Sequence, residues 1–226
     1  MALLAATAVA LGGTSSARAQ DGAGRFALLP FENTGSYGQD KEVFEALELG
    51  LPAMLARAMD RHPVAKAVES QRLDRAMGAA NLGPSQRVDA AGAAQMGKAT
   101  GARYAVTGSF ADFYGKFRVN ARLVDARSGE IIKVVSNDDA QLQDRAQLGA
   151  IVQSVAERIV GAAGLASYPA DAAPSALPTD AITAYSRGLL HESRGDRAKA
   201  REFYQAAVTA FPQFDEARSA IARVGG

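Results

Sequence analysis

Few side chains in this sequence could do chemistry, and they are scattered. Cys is absent and only His62 and His191 are present. That excludes disulfides, thiolate metal sites, cysteine nucleophiles, a lipidated N-terminal Cys on this chain and a multi-histidine metal centre. Asp112 and the adjacent pair Asp138 and Asp139 are candidates for metal ligation or acid–base work. No second cluster stands with them, and loop carboxylates are ordinarily solvated. His62 precedes Pro63 at a predicted helix end, where a cation suits the helix dipole. His191 falls within a helical stretch and reads as a packing residue. The Gly-rich stretches lack the Lys-Ser/Thr of a phosphate loop. Arg118 and Arg122 alternate with apolar residues, so they share the wet face of a strand and could meet an acidic or glycan partner. The pattern implies no catalytic set, no metal and no cofactor.

The chain has 226 residues, 48% of them hydrophobic and 22% charged, enough for a sizeable core and against global disorder. Residues 2–12, ALLAATAVALG, form an apolar run too short to span a bilayer, which needs about 20 residues. Thr14, Ser15 and Ser16 follow, then Ala17-Arg18-Ala19, whose small residues suit cleavage before Gln20. Residues 1–19 therefore read as an export leader. Loss of Arg18 with it leaves 24 basic against 24 acidic residues, which excludes unspecific attraction to nucleic acid or anionic lipid as the main activity. No later run approaches membrane-spanning length, so the expected location is the periplasm, with outer-membrane association open.

The elements that must position these residues begin with RFALLPF at 25–31, a buried strand that Pro30 must end or bring to an edge. Residues 40–61 carry Phe44, Leu47, Leu51, Met54, Leu55 and Ala58 on one helical face, with Asp40 as cap. A mid-helix Pro costs about 3 kcal/mol, so Gly50 and Pro52 predict a kink or a restarted helix. Residues 63–68 read as a second strand, and Ser70 and Ser85 introduce helices over 70–79 and 85–99. Strands follow over 103–113, 116–125 and 130–136, joined by turns at Tyr114-Gly115 and Arg127-Ser128-Gly129. A helix over 143–163 presents Leu148, Ile151, Val152, Val155 and Ile159 as its stripe. The order β-α-β-α-α-β-β-β-α predicts an α/β fold, a mixed sheet with packed helices.

Three segments of this module resemble a known group. Phe26-Ala-Leu-Leu-Pro-Phe-Glu-Asn33 looks like the opening strand of the CsgG-like and TolB-N-terminal-like families. Gly101-Ala-Arg-Tyr-Ala-Val-Thr-Gly-Ser109 and Ala121-Arg-Leu-Val-Asp-Ala-Arg-Ser-Gly-Glu130 resemble their later strand and hairpin. Those families include the curli secretion channel, flagellar outer-membrane accessory proteins and an activator of penicillin-binding proteins. The chain departs from the curli channel in having no inserted pairs of long alternating strands. The resemblance therefore implies envelope binding or assembly, not pore formation.

Residues 166–179, ASYPADAAPSALPT, read as an extended linker. Beyond them Gly188, Ala200, Tyr204, Ala207 and Pro212 follow the spacing of a tetratricopeptide-like helical hairpin, with Arg194-Gly195-Asp196 at its turn. In that register Ile182, Tyr185, Leu189 and Glu192 face the concave side and are the predicted partner-binding residues, together with Arg118 and Arg122 on the sheet. One such unit needs a neighbour to bury its faces, so the alternative is that it docks on the same chain. The expected organisation is a leader at 1–19, an α/β domain at 24–165, a linker at 166–179 and a helical unit at 180–226. The expected function is a non-catalytic interaction or assembly protein of the cell envelope, with protein partners, a homo-oligomer open and no nucleic acid. The alternative is an envelope-acting hydrolase or small-ligand-binding protein. Export from a bacterial host should yield a mature chain beginning at Gln20, which N-terminal sequencing reads directly; an intact Met1 on exported protein contradicts it.

Overall fold

A computed structural model describes residues 24–36, 40–83, 86–137, 143–170 and 177–226. The predicted leader and Asp138–Asp139 lie outside the described residues. The first module holds β1 (Arg25–Asn33), α1 (Lys41–Asp60), β2 (Lys66–Ala67), α2 (Ser70–Ala79), α3 (Ala90–Thr100), β3 (Tyr104–Phe113), β4 (Lys116–Asp125), β5 (Ile131–Ser136), β6 (Gln143–Asp144) and α4 (Leu148–Ala162). The sheet order is β2-β1-β3-β4-β5, with β6 on β4. β1 is parallel to β2 and β3, and the β3-β4-β5 meander is antiparallel. This is the mixed α/β sheet that the element order predicts.

Alternation along the strands sends apolar residues to two cores. Phe26, Leu28, Val106 and Leu123 face α1 and α4, where Ile151, Val155 and Ile159 are buried. Ala27, Leu29, Ala105 and Val124 face α2 and α3. The α3 side needs small residues: a Cβ on Gly97 would stand 2.6 Å from the Ala126 methyl.

Several boundaries differ from the sequence reading. β1 continues past Pro30 to Asn33 because its register with β3 shifts between Leu28 and Phe31. β2 pairs only Arg25 and Phe26, so that side of β1 is already an edge where Pro30 sits and no ladder bond is missed. α1 does not restart at Pro52; it runs unbroken through it, with Leu51, Pro52 and Leu55 all buried. Burial on both sides of α1 offsets the lost helical hydrogen bond. Asp40 makes no cap hydrogen bond and pairs with Arg145 instead. α3 starts at Ala90, with Asp89 accepting from the Gly92 N–H at 2.8 Å; Ser85 lies outside the described residues. The last helix begins at Leu148, after β6 and a 3-10 turn over Arg145–Gln147.

Three helices complete the chain: α5 (Thr179–Ser193), α6 (Arg197–Ala210) and α7 (Asp215–Gly225). α5 lies on α1. Its partner stripe on α1 is made of small residues, Ala46, Gly50 and Ala53, and is distinct from the stripe facing the sheet. The helices meet so closely that a Cβ on Gly50 would fall 1.8 Å from Ser186 Oγ. Ion pairs frame the contact: Arg187 with Glu42 at 2.8 Å, Arg194 with Glu45, and Arg57 with Glu216 at 3.1 Å. Arg187 also lies 3.9 Å over the Phe203 ring. One hydrophobic cluster consequently runs from Phe26 in β1 to Val224 in α7.

Where it is described, the Pro-rich stretch is strapped to the first module rather than standing free. Tyr168 packs edge-on against His62 at 4.9 Å and donates to the Ala58 carbonyl at 3.2 Å. Leu177 is buried, and a Cβ on Gly149 would stand 2.1 Å from its carbonyl oxygen. On an exposed helix Gly→Ala stabilises by up to about 1 kcal/mol. Here Gly50→Ala should instead cost about 1–3 kcal/mol by overpacking, and Ser186→Gly added to it should recover stability. Denaturant melts of the three chains check this; a neutral or stabilising Gly50→Ala would mean the helices do not meet at this point.

Candidate interaction surface

The predicted concave residues of the helical unit do not line an open groove. Ile182 and Tyr185 are only 1% and 7% exposed and belong to the shared core. The Tyr185 ring tilts against Tyr204 at 5.4 Å and Phe214 at 4.9 Å, and burial pushes its hydroxyl up to about 12. Leu189 is partly buried against the same cluster. Glu192 accepts from both Arg223 nitrogens at 2.7 Å and from the Tyr204 hydroxyl. Burial alone would raise its pKa, yet the bonds from Arg223 and Tyr204 hold it below the usual carboxylate range. The four residues thus join α5 to α6, α7 and α1. The reason is geometric: Gly188 lets the Tyr204 ring close on α5, since a Cβ there would stand 2.3 Å from the ring.

The other titratable candidates also hold the fold. His62 Nδ1 accepts from the N–H groups of Val64 at 3.1 Å and Ala65 at 2.9 Å, and Nε2 donates to the Ala166 carbonyl at 3.0 Å. Both ring nitrogens are engaged with the backbone, so His62 ties three segments together. His191 stacks on Phe203 at 5.2 Å and lies 3.3 Å from Glu42. Asp112, 1% exposed, accepts from the Gly115 N–H at 2.8 Å and faces Arg145 Nε at 3.5 Å. Arg145 also reaches Asp40 at 3.2 Å and covers the Phe44 ring at 5.3 Å. Nothing in the sequence singled out Arg145, whose three partners lie about 30 to 105 positions away in the chain. Among the described residues no group of three His, Asp or Glu side chains gathers as metal ligands.

Arg118 and Arg122 sit on the sheet face that α2 and α3 cover only in part. Register puts Arg122 between Thr107 and Val134, and Arg118 beside Ala111. Between the two arginines Asn120 pairs with Ser109 on one side and Ser136 on the other, and Glu32 continues that row through β1. Glu32 meets Arg87 at 3.3 Å. Glu32, Arg87, Thr107, Gly108 and Arg122 line a shallow polar hollow. Gly108 itself makes room on the opposite, core face, because a Cβ there would stand 2.5 Å from both the Asn120 carbonyl and the Phe31 ring. Beside this row Ile131, Ile132 and Val134 are 46%, 42% and 54% exposed. They were expected only as part of a meander strand, and their exposure was not visible because an apolar run does not say whether its strand lies at an edge.

No family model matches the chain, and no curated protein matches it. Among solved structures it is similar to the LpoB C-terminal domain from Salmonella enterica, at 19% identity over 51% of this chain and 81% of that one, with a TM-score of 0.37. It is similar to TolB from Acinetobacter baumannii at 18% identity, over 61% of this chain and 28% of that one, with a TM-score of 0.37. A PelC dodecamer from Paraburkholderia phytofirmans gives 12% identity, 64% and 89% coverage, and a TM-score of 0.36. At these identities and scores the likenesses assign neither an activity nor a partner to this chain.

Because Tyr185 and Leu189 serve an internal interface, Tyr185→Ala with Leu189→Ala should destabilise the whole chain. Truncating the buried Tyr alone should cost about 3–5 kcal/mol. Thermal melts followed by circular dichroism check this; an unchanged melt of residues 24–165 would free those side chains for an outside partner.

Proposed function

We propose that this chain is an exported, non-catalytic interaction or assembly protein of the cell envelope, and that it meets its protein partner through the open sheet face around Arg118 and Arg122. The observation that carries the reading is how differently the charged side chains are used. Around the helix contacts Glu42, Glu45, Arg57, Arg187 and Glu192 all have ion-pair partners. Arg118 and Arg122 project from the sheet and, among the described residues, form no ion pair. Three exposed aliphatic side chains adjoin them. Arginines without an ion pair among the described residues, beside exposed apolar surface, suit a protein interface, where Arg is enriched and a few anchors dominate.

Two further features support this reading. The buried titratable groups that chemistry would need are engaged in backbone clamps and ion pairs. The leader and the three segments resembling envelope families favour a periplasmic location. Among the described residues no helix is long and apolar enough to cross a membrane.

The test expresses the chain with its leader and carries a photo-crosslinking residue at position 118, at 122, or at exposed Gln205 on α6 as control. The expected outcome is a periplasmic chain with discrete protein adducts from 118 and 122 and none from 205. Retention in the cytoplasm, or adducts from 205 alone, contradicts the proposal.

A further inference from the structure

The far edge of the sheet carries a feature that the open face alone does not explain. β5 pairs with β4 on one side, and no described strand pairs with the other. Free edges are ordinarily blunted by Pro, by several charges or by a covering element. β5 contains no Pro and a single charge, Lys133. Its register fixes which way the side chains point. Ile131 stands opposite Val124 and Val134 opposite Arg122, so both share the open face with Arg118 and Arg122. The register shift between Leu123 and Val124 leaves Ile132 as the extra residue of a bulge. Lys133 stands opposite Leu123 and points to the other face. Arg158 closes one end of the strand by donating to the Ser136 carbonyl at 2.8 Å.

We propose that the free edge of β5 accepts an extended acidic segment of a partner protein as an added strand. Main-chain hydrogen bonds to the edge would hold it, apolar side chains on the open face would cover Ile131 and Val134, and carboxylates on the opposite face would meet Lys133. Strand addition of this kind takes affinity from the backbone and specificity from alternate side chains. Charge complementarity selects the occupant. A second copy is disfavoured, because a two-fold antiparallel pairing keeps faces matched. With its axis at residue 132, 133 or 134 it sets the two Lys133 side chains opposite or diagonal on one face. Like charges so placed are destabilising. An acidic strand turns the same charges into attraction. The inference rests on the open face being the interaction surface and adds the form and charge of what binds there.

The test uses the mature chain, labelled with 15N, and a capped ten-residue peptide of alternating Val and Glu, with a Val and Lys peptide as control. The expected result is saturable binding of the acidic peptide and slowed amide exchange confined to residues 131–135 and their neighbours. Lys133→Glu, a change at an exposed position, should weaken it roughly five- to tenfold. The Lys peptide should not bind. Unchanged exchange over 131–135, equal binding of both peptides, or protection that rises with protein concentration alone would each overturn the proposal, the last in favour of a second copy. Adducts from positions 118 and 122 without edge protection would leave the open face as the interaction surface and remove only the added strand.

Discussion

The whole arrangement depends on α1 being packed on two sides. Phe44, Leu47, Leu51 and Leu55 turn to the sheet, while Ala46, Gly50 and Ala53 turn to α5. A helix buried on one stripe leaves the other for water. Here the second stripe is built of side chains so small that the helices nearly touch at Gly50 and Ser186. Close approach maximises dispersion contacts and leaves no room for water between the helices. It also explains how Pro52 survives mid-helix, since packing on both sides holds α1 in a shape that propensity alone would not favour.

That contact decides which surfaces remain for function. The helical unit offers no open concave face at these positions, because Ile182 and Tyr185 are spent on the chain's own core. The charged rim follows the same logic: Arg187, Arg194 and Arg57 each find a carboxylate across the helix contact. Arg145 and His62 act as pins at the two ends of α1, one against Asp40 and Asp112, the other against the Ala166 carbonyl. Among the described residues, Arg118 and Arg122 form no ion pair, and Ile131, Ile132 and Val134 of β5 stay exposed.

Much of this was legible in the sequence, for physical reasons that differ from element to element. The alternation of Phe117, Val119, Ala121 and Leu123 with Arg118, Asn120 and Arg122 reports one wet face directly, and β4 follows it. The strong stripe of α1 is visible because Leu and Phe dominate any periodicity. Its second stripe is not, because Ala and Gly carry almost no hydrophobic signal and gain their worth only through close approach. The same blindness made Gly50 and Pro52 look like a break. The helix starts at Ala90 and Leu148 differ from the sequence reading, since Asp89 caps α3 among polar residues of similar propensity and Asp144 caps a 3-10 turn that precedes α4. The choice between open groove and internal interface for Tyr185 could not be read at all, because it depends on how its helix packs against α6 and α7, whose Tyr204 and Phe214 close on its ring.

Residues 24–165 and the helical unit share one core through α1. Native-state amide hydrogen exchange of the mature chain in rising denaturant addresses it most directly. With one shared core, the slowest amides of α1, of the β3-β4 pair and of α6 should exchange through one opening, with a common free energy and a common denaturant dependence. A separate opening of α5, α6 and α7, at lower free energy and with α1 still protected, would contradict it.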